Sequence, residues 1–237
     1  SMDFGPYLLL ASLEGAVQSA VLALTAVGLS LVFGTMRVVN VAHGEFFMLG
    51  AVLAWWVTTF VGLHPAVGFI VALVVAPLAA GVIAAAADLT VLKRLKYDPE
   101  STIVATIGIL YIIQQVVLMT YGPDARPVQA PFSHRFYTPW FGYSSYKLFV
   151  IGMAILLLLG VWALMAKTRI GLILRATQLD REMAQAFGIP VERVYAIVFG
   201  LGAALAAMAA VLIVPIQQAH YLMGGDPLLL SFIVVII

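Results

Sequence analysis

Arg37, Asn40, His43 and Glu45 fall within nine residues, between two apolar runs. A cation, an amide, an imidazole and a carboxylate in that setting are costly to bury. An ionisable group at bilayer depth costs roughly 2.5–3.5 kcal/mol on insertion scales, so such groups face a cavity, a partner or the surface. Gly34 and Gly44 bracket the cluster. Glycines beside it suggest a broken helix with free backbone amides and carbonyls turned toward a translocation path. An ordinary short loop with its charges in water fits the composition as well.

A second cluster runs from Gly171 to Pro190. The spacing predicts a short amphipathic helix from about Thr177 to Phe187. Leu179, Met183, Ala186 and Phe187 share its apolar face, and Gln178, Arg181, Glu182 and Gln185 its polar face. Gly188 is suited to the left-handed position after the helix, and Pro190 prevents continuation. The helix reads either as a connector lying on the membrane or as a knob that docks into a cytoplasmic partner. A third feature is Gln114-Gln115 inside the run Thr102–Met119. Paired amides there need hydrogen bonds. Gln114 is taken as the one facing a wet interior; glue between two helices is the other reading.

The elements that must carry these groups follow from composition. Of 237 residues 63% are hydrophobic and 10% charged, against about 45–50% and about 25% in soluble domains. The bilayer is the solvent that accepts such a chain. The expected fold is all-α, a polytopic transmembrane helical bundle forming a single domain over 1–237, with about seven apolar runs. The seventh breaks off at Ile237 after about ten residues, short of the ~20 a span needs, so a continuation is expected. Eight of the 12 Lys and Arg lie in two segments, Lys93–Lys96 and Lys167–Arg193. Two runs separate them, so both can face the cytoplasm. Residues 121–147 are then external. Their Phe132, Phe136, Tyr137, Trp140, Phe141, Tyr143 and Tyr146 suit a loop lying flat at the headgroup level. Small residues four apart, Ala76/Ala80/Ala84, Gly81/Ala85, Ala203/Ala207 and Ala206/Ala210, mark close helix contacts, within one chain or at a dimer seam.

Several chemistries lack their motifs. There is no P-loop, and the four histidines show no metal spacing. No G-x-S-x-G elbow occurs, so an intramembrane enzyme built on His43 has no companion. No cofactor, metal or nucleic acid is expected. An ATP-independent secondary transporter or channel stays open, with Arg37 and Glu45 as its credible intramembrane charges.

The stretches GLSLVFGTMRVVNVAHGEFFMLGA, TIGILYIIQQ with YGPDARP, and RATQLDREMAQAFGIPVERV leading into GLGAALAAMAAVL closely resemble the permease subunits of the branched-chain amino acid ABC importers, in that family's order and over essentially the whole chain. The resemblance implies a multi-pass protein of the bacterial inner membrane that is not itself an enzyme. It implies a complex with a second permease subunit, cytoplasmic ATP-binding subunits and an external solute-binding protein. Arg175–Gly188 would be the coupling segment in a groove of the ATPase, with Gly171, Arg175, Ala176, Asp180, Ala184 and Gly188 at its recurrent positions. Arg37, Asn40, His43 and Glu45 would match the broken-helix segment lining the pathway. The solute would be a branched-chain amino acid or a related small polar molecule; urea, amides and aromatic acids are alternatives within the family.

Overall fold

The structure is a computed structural model and describes residues 4–62, 64–137, 139 and 142–237. Nine α-helices lie among them: α1 (Phe4–Met36), α2 (His43–Phe60), α3 (Pro65–Ala87), α4 (Pro99–Thr120), α5 (Ser145–Lys167), α6 (Arg169–Leu179), α7 (Arg181–Ala186), α8 (Val191–Ile213) and α9 (Gly225–Ile236). Among the described residues, α1, α3, α4, α5 and α8 are long and apolar enough to cross a membrane. The chain is thus an all-α multi-pass bundle, as its composition requires. A short antiparallel hairpin pairs β1 (Arg135–Tyr137) with β2 (Gly142–Ser144).

Helix α8 is the axis of the bundle. It packs on α1, α2 and α3, and most of its residues are buried. Small side chains let the backbones meet. A Cβ on Gly28 of α1 would lie 2.5 Å from the Gly202 carbonyl oxygen. A Cβ on Gly50 of α2 would lie 2.5 Å from Ala207 Cα, and one on Gly200 would lie 2.8 Å from the Gly81 oxygen of α3. Ala76, Ala80, Ala84, Ala203, Ala206, Ala207 and Ala210 are all fully buried. The small-residue faces therefore pack inside the chain. Close backbone approach is how helices associate in lipid, where burying apolar surface brings no gain. Helices α4 and α5 turn large apolar side chains outward, among them Ile112, Met119, Leu156 and Trp162, the character a lipid-facing surface needs.

The two basic segments share one end of the bundle. There Lys93 pairs with Glu192 at 3.1 Å, and Gln178 of α6 donates to Thr35 Oγ1 of α1 at 3.0 Å. The hairpin occupies the other end, where Lys147 meets Glu14 at 2.8 Å. The expected flat aromatic loop is only partly present. Phe136 and Tyr137 are exposed, but Tyr143 and Tyr146 turn inward, and the Tyr146 hydroxyl donates to the Leu212 carbonyl. A buried hydroxyl needs such a partner. Trp140 and Phe141 lie outside the described residues.

Candidate functional site

The Arg37–Glu45 segment is a true break between helices, but its glycines do not make it. Gly34 lies inside α1 and Gly44 in the first turn of α2. The turn comes at Arg37, whose φ of 57° lies in the left-handed region, uncommon for a side chain that is not glycine. From there the chain dips back into the bundle. Val38, Asn40 and Ala42 are completely buried. Thr106 of α4 accepts from the Val41 amide at 3.2 Å, and Asn40 Oδ1 accepts from the Ala42 amide at 3.0 Å. Buried loop backbone is thereby satisfied by side chains, as it must be.

His43 opens α2, and its Nε2 lies 2.8 Å from the Thr25 carbonyl oxygen. A carbonyl only accepts, so Nε2 carries the proton. Thr25 lies about 16 Å from the end of α1 at roughly 1.5 Å per residue. Helix α2 thus begins well inside the bundle, level with the middle stretch of α1. Two residues on, Glu45 Oε1 accepts from Gln114 Nε2 of α4 at 3.1 Å. These two residues lie 69 positions apart in the sequence, and the fold brings them together. Arg37 is different. It is exposed at the basic end, away from Asn40, His43 and Glu45.

A second helix starts at the same depth. A Cβ on Gly44 would lie 2.1 Å from the Gly224 oxygen, and one on Gly224 would lie 2.2 Å from the Gly44 oxygen. Helix α9 begins at Gly225 and runs back past Leu29, Phe33 and Val39, which line a cleft with Phe232, Val235 and Ile236. Helix α2 runs the other way, placing Trp55 against Tyr121 with ring centroids 5.3 Å apart. Two helices therefore start back to back inside the bundle and point to opposite faces. Beside them lies a half-open cavity of about 470 Å³, with polar walls from Gln18, Ser19, Thr25, Gln217 and Asp226 and apolar walls including Leu22, Phe47, Ile213 and Met223. Gln18, Gln217 and Asp226 were not among the residues expected at a site. Their signal was present: Gln18-Ser19 interrupts the first apolar run, and Asp226 follows Gly224-Gly225.

At the basic end the expected single helix from Thr177 to Phe187 is two. Asp180 is extended, with φ −156° and ψ 100°, and separates α6 from α7. Its side chain is the reason: Asp180 Oδ1 accepts from the Met183 amide at 3.1 Å and caps α7, and a helix-starting residue takes non-helical backbone angles. The end of α7 is as expected. Gly188 has φ +87°, and the Ile189 amide returns to the Ala184 carbonyl at 3.1 Å, the closing turn that favours glycine. The apolar face is not buried in the chain: Leu179 is 88% exposed, Phe187 80% and Met183 53%. Gly171 lies in a tight corner, where a Cβ would be 2.1 Å from the Met165 oxygen. Thr168 caps α6 there through the Gly171 amide at 3.2 Å. Arg175 is exposed, Ala176 half-buried and Ala184 buried.

Next to α7, the chain between α3 and α4 forms an elbow. Asp88–Leu92 is one turn of π-helix. Lys96 and Tyr97 both have positive φ, 54° and 55°, an outlying conformation for so bulky a residue as tyrosine. Burial, reinforced by the neighbouring Asp88 carboxylate, holds the Tyr97 hydroxyl above the ordinary phenol range, so it stays protonated beside that carboxylate.

A family model described as the permease component of the branched-chain amino acid transport system matches residues 11–237. A high-affinity branched-chain amino acid transport system permease protein, BraD of Pseudomonas aeruginosa, is 27% identical over 214 residues, 84% of this chain and 68% of the relative. The probable branched-chain amino acid transport permease protein LivH of Methanocaldococcus jannaschii is 29% identical over 225 residues, 92% of this chain and 70% of the relative. LivH of Escherichia coli K12 is 29% identical, covering 87% of this chain and 70% of its own length. No solved structure matches. The motifs, the helical bundle and the match over nearly the whole chain agree, and this multi-pass membrane protein belongs to the family of branched-chain amino acid transport permeases.

Proposed function

We propose that this chain is the membrane-spanning subunit of an ATP-driven importer for branched-chain amino acids or a related small polar solute, working by alternating access in the bacterial inner membrane. Its partners in this reading are a second permease subunit, cytoplasmic ATP-binding subunits and an external solute-binding protein. The carrying observation is the exposed face of Leu179, Met183 and Phe187, on a short capped helix at the basic end of the bundle. Basic segments favour the cytoplasm, and large apolar side chains gathered on an aqueous surface favour a docked partner. Residues 175–188 are the coupling segment: Asp180 starts α7, Gly188 ends it, Ala184 seats it, and Gly171 holds the corner from α5. Arg175 and Ala176 present the preceding turn to the ATPase.

The pathway in this reading runs beside the two back-to-back helix starts. Gln18, Gln217 and Asp226 are exposed near that depth, and polar groups there need water or a partner subunit. Asn40, His43 and Glu45 form the buried polar layer behind it, with the half-buried Gln114 bonded to Glu45, while Arg37 marks its cytoplasmic edge. ATP drives the cycle only if the ATPase binds two permease states with different affinity. Moving the ratio from 1:99 to 99:1 takes about 5.5 kcal/mol.

The test is purification of the chain from cells expressing its whole transport complex, followed by reconstitution. ATP-binding subunits copurify with the unaltered chain and are lost with Leu179→Glu combined with Phe187→Glu. Uptake requires ATP. Solute crossing through the purified chain alone, driven by its own gradient, overturns the proposal.

A further inference from the structure

The coupling segment is fastened to the bundle by a contact that none of its recurrent positions supplies. Arg181, the first residue of α7, lays its guanidinium over two rings, 5.5 Å from the centroid of Tyr97 and 5.4 Å from that of Tyr195. The rings meet edge to face, with centroids 4.7 Å apart and planes at 89°. Both tyrosines are buried, while Arg181 is exposed on its other side. Cations within about 6 Å of a ring centroid are held by the ring's quadrupole. Tyr195 belongs to α8, the helix on which α1, α2 and α3 pack. Tyr97 belongs to the elbow between α3 and α4.

That elbow has the features of a movable part. It holds one π-helical turn, Asp88–Leu92, and two consecutive residues with positive φ. Single π-turns and strained backbone concentrate at functional sites. Behind the rings, the Tyr97 hydroxyl neighbours the buried Asp88 carboxyl. Lys93 and Glu192 tie the same elbow to the start of α8 at 3.1 Å, but both are half exposed, and such pairs contribute little. The extended residue Asp180 separates α7 from α6, so α7 is held on the bundle by the buried Ala184 and by Arg181 rather than as a continuation of α6.

We propose that Arg181 is a positioning residue: through the faces of Tyr97 and Tyr195 it transmits movement of α7 to α8 and to the 88–97 elbow. The inference rests on the permease reading given above. Because α7 moves as a small capped rod, the clamp converts its displacement into a tilt of α8, whose Phe199 packs on Phe46 of α2 with ring centroids 6.5 Å apart, and into a change at the elbow that leads into α4, whose Gln114 bonds Glu45.

The experiment uses the complete complex in proteoliposomes with its binding protein and leucine, and reads ATP hydrolysis with and without solute alongside uptake. Arg181→Gln keeps the exposed face of Leu179, Met183 and Phe187 and so still copurifies the ATP-binding subunits. It lowers solute-stimulated hydrolysis and uptake per ATP by about twofold to thirtyfold, the range a lost cation–π contact spans. Arg181→Lys restores most of both, because a cation over the rings is kept. Tyr97→Leu and Tyr195→Leu each reproduce the Arg181→Gln defect, and Arg181→Gln with Tyr195→Leu is no worse than either alone. If one tyrosine variant fails to assemble, the other and Arg181→Gln decide. Full solute stimulation in Arg181→Gln overturns the inference. So does a defect in Arg181→Gln with normal coupling in the tyrosine variants, or loss of the ATP-binding subunits from Arg181→Gln, since Arg181 would then act on the partner directly. An unaltered chain that copurifies no ATP-binding subunit refutes the permease reading instead, which keeps the two failures distinct.

Discussion

Replacing Gln114 by leucine removes the side-chain donor that the fold gives Glu45. The bond is 3.1 Å long and joins α4 to the first turn of α2. Glu45 is 2% exposed, and its Oε2 has no hydrogen-bond partner among the described residues. After Gln114→Leu both carboxyl oxygens are unsatisfied. A buried polar group left without its partner costs about 1–3 kcal/mol. Hydrogen bonds between helices in membranes average about 0.6 kcal/mol and reach about 1.7 kcal/mol. We therefore expect Gln114→Leu to destabilise by about 1–2 kcal/mol. The double variant Glu45→Leu, Gln114→Leu removes both partners and should return to within about 0.5 kcal/mol of the unaltered chain, since removing both is nearly neutral. The assay is reversible unfolding in mixed micelles of mild detergent and dodecyl sulfate, followed by circular dichroism. A double variant that costs as much as the sum of the two single variants refutes the reasoning, because residues in contact must couple. Uptake by the stable double variant then isolates transport from folding, and we expect it to be lost.

Gly50→Ala should destabilise by about 1–3 kcal/mol through overpacking, because its Cβ would meet the Ala207 backbone at 2.5 Å; Gly152→Ala, with nothing within 4 Å of its Cβ, should be neutral or stabilising in the same unfolding assay. Tyr121→Phe removes a 2.7 Å bond from the phenol to the Ala219 carbonyl and should cost about 1 kcal/mol, with faster hydrogen exchange at the Arg126 amide, which bonds the same carbonyl at 2.9 Å. Asp98 starts α4 by accepting from the Ser101 hydroxyl and amide at 2.8 and 3.0 Å, and these bonds hold its carboxyl below the ordinary value. The cap is therefore complete at neutral pH and fades only as pH falls through that lowered value. Protection of the Ser101 amide should show this acid limb in the unaltered chain and none in Asp98→Asn.

Membrane residence, the helical class and the shared side of the two basic segments were legible in the sequence. They depend on quantities that survive any folding path: run length, apolar fraction and charge placement. Gly188 was legible too, because a left-handed turn before Ile189-Pro190 is a local backbone demand. The break at Asp180 was not. The apolar spacing of Leu179, Met183 and Phe187 continues through it, and Asp180 is chemically suited either to a helix surface or to a cap. Only the three-dimensional structure decided that Glu45 meets Gln114, that His43 reaches the Thr25 carbonyl, and that Gly44 and Gly224 touch where two opposed helices begin. Those pairs lie far apart along the chain, and their meeting depends on how closely backbones approach across glycine and alanine, which no single run encodes. Arg181 shows the same division. Its own helix marks it as one polar residue among four, and it becomes a clamp because a strained elbow and an unrelated helix each bring a tyrosine beneath it.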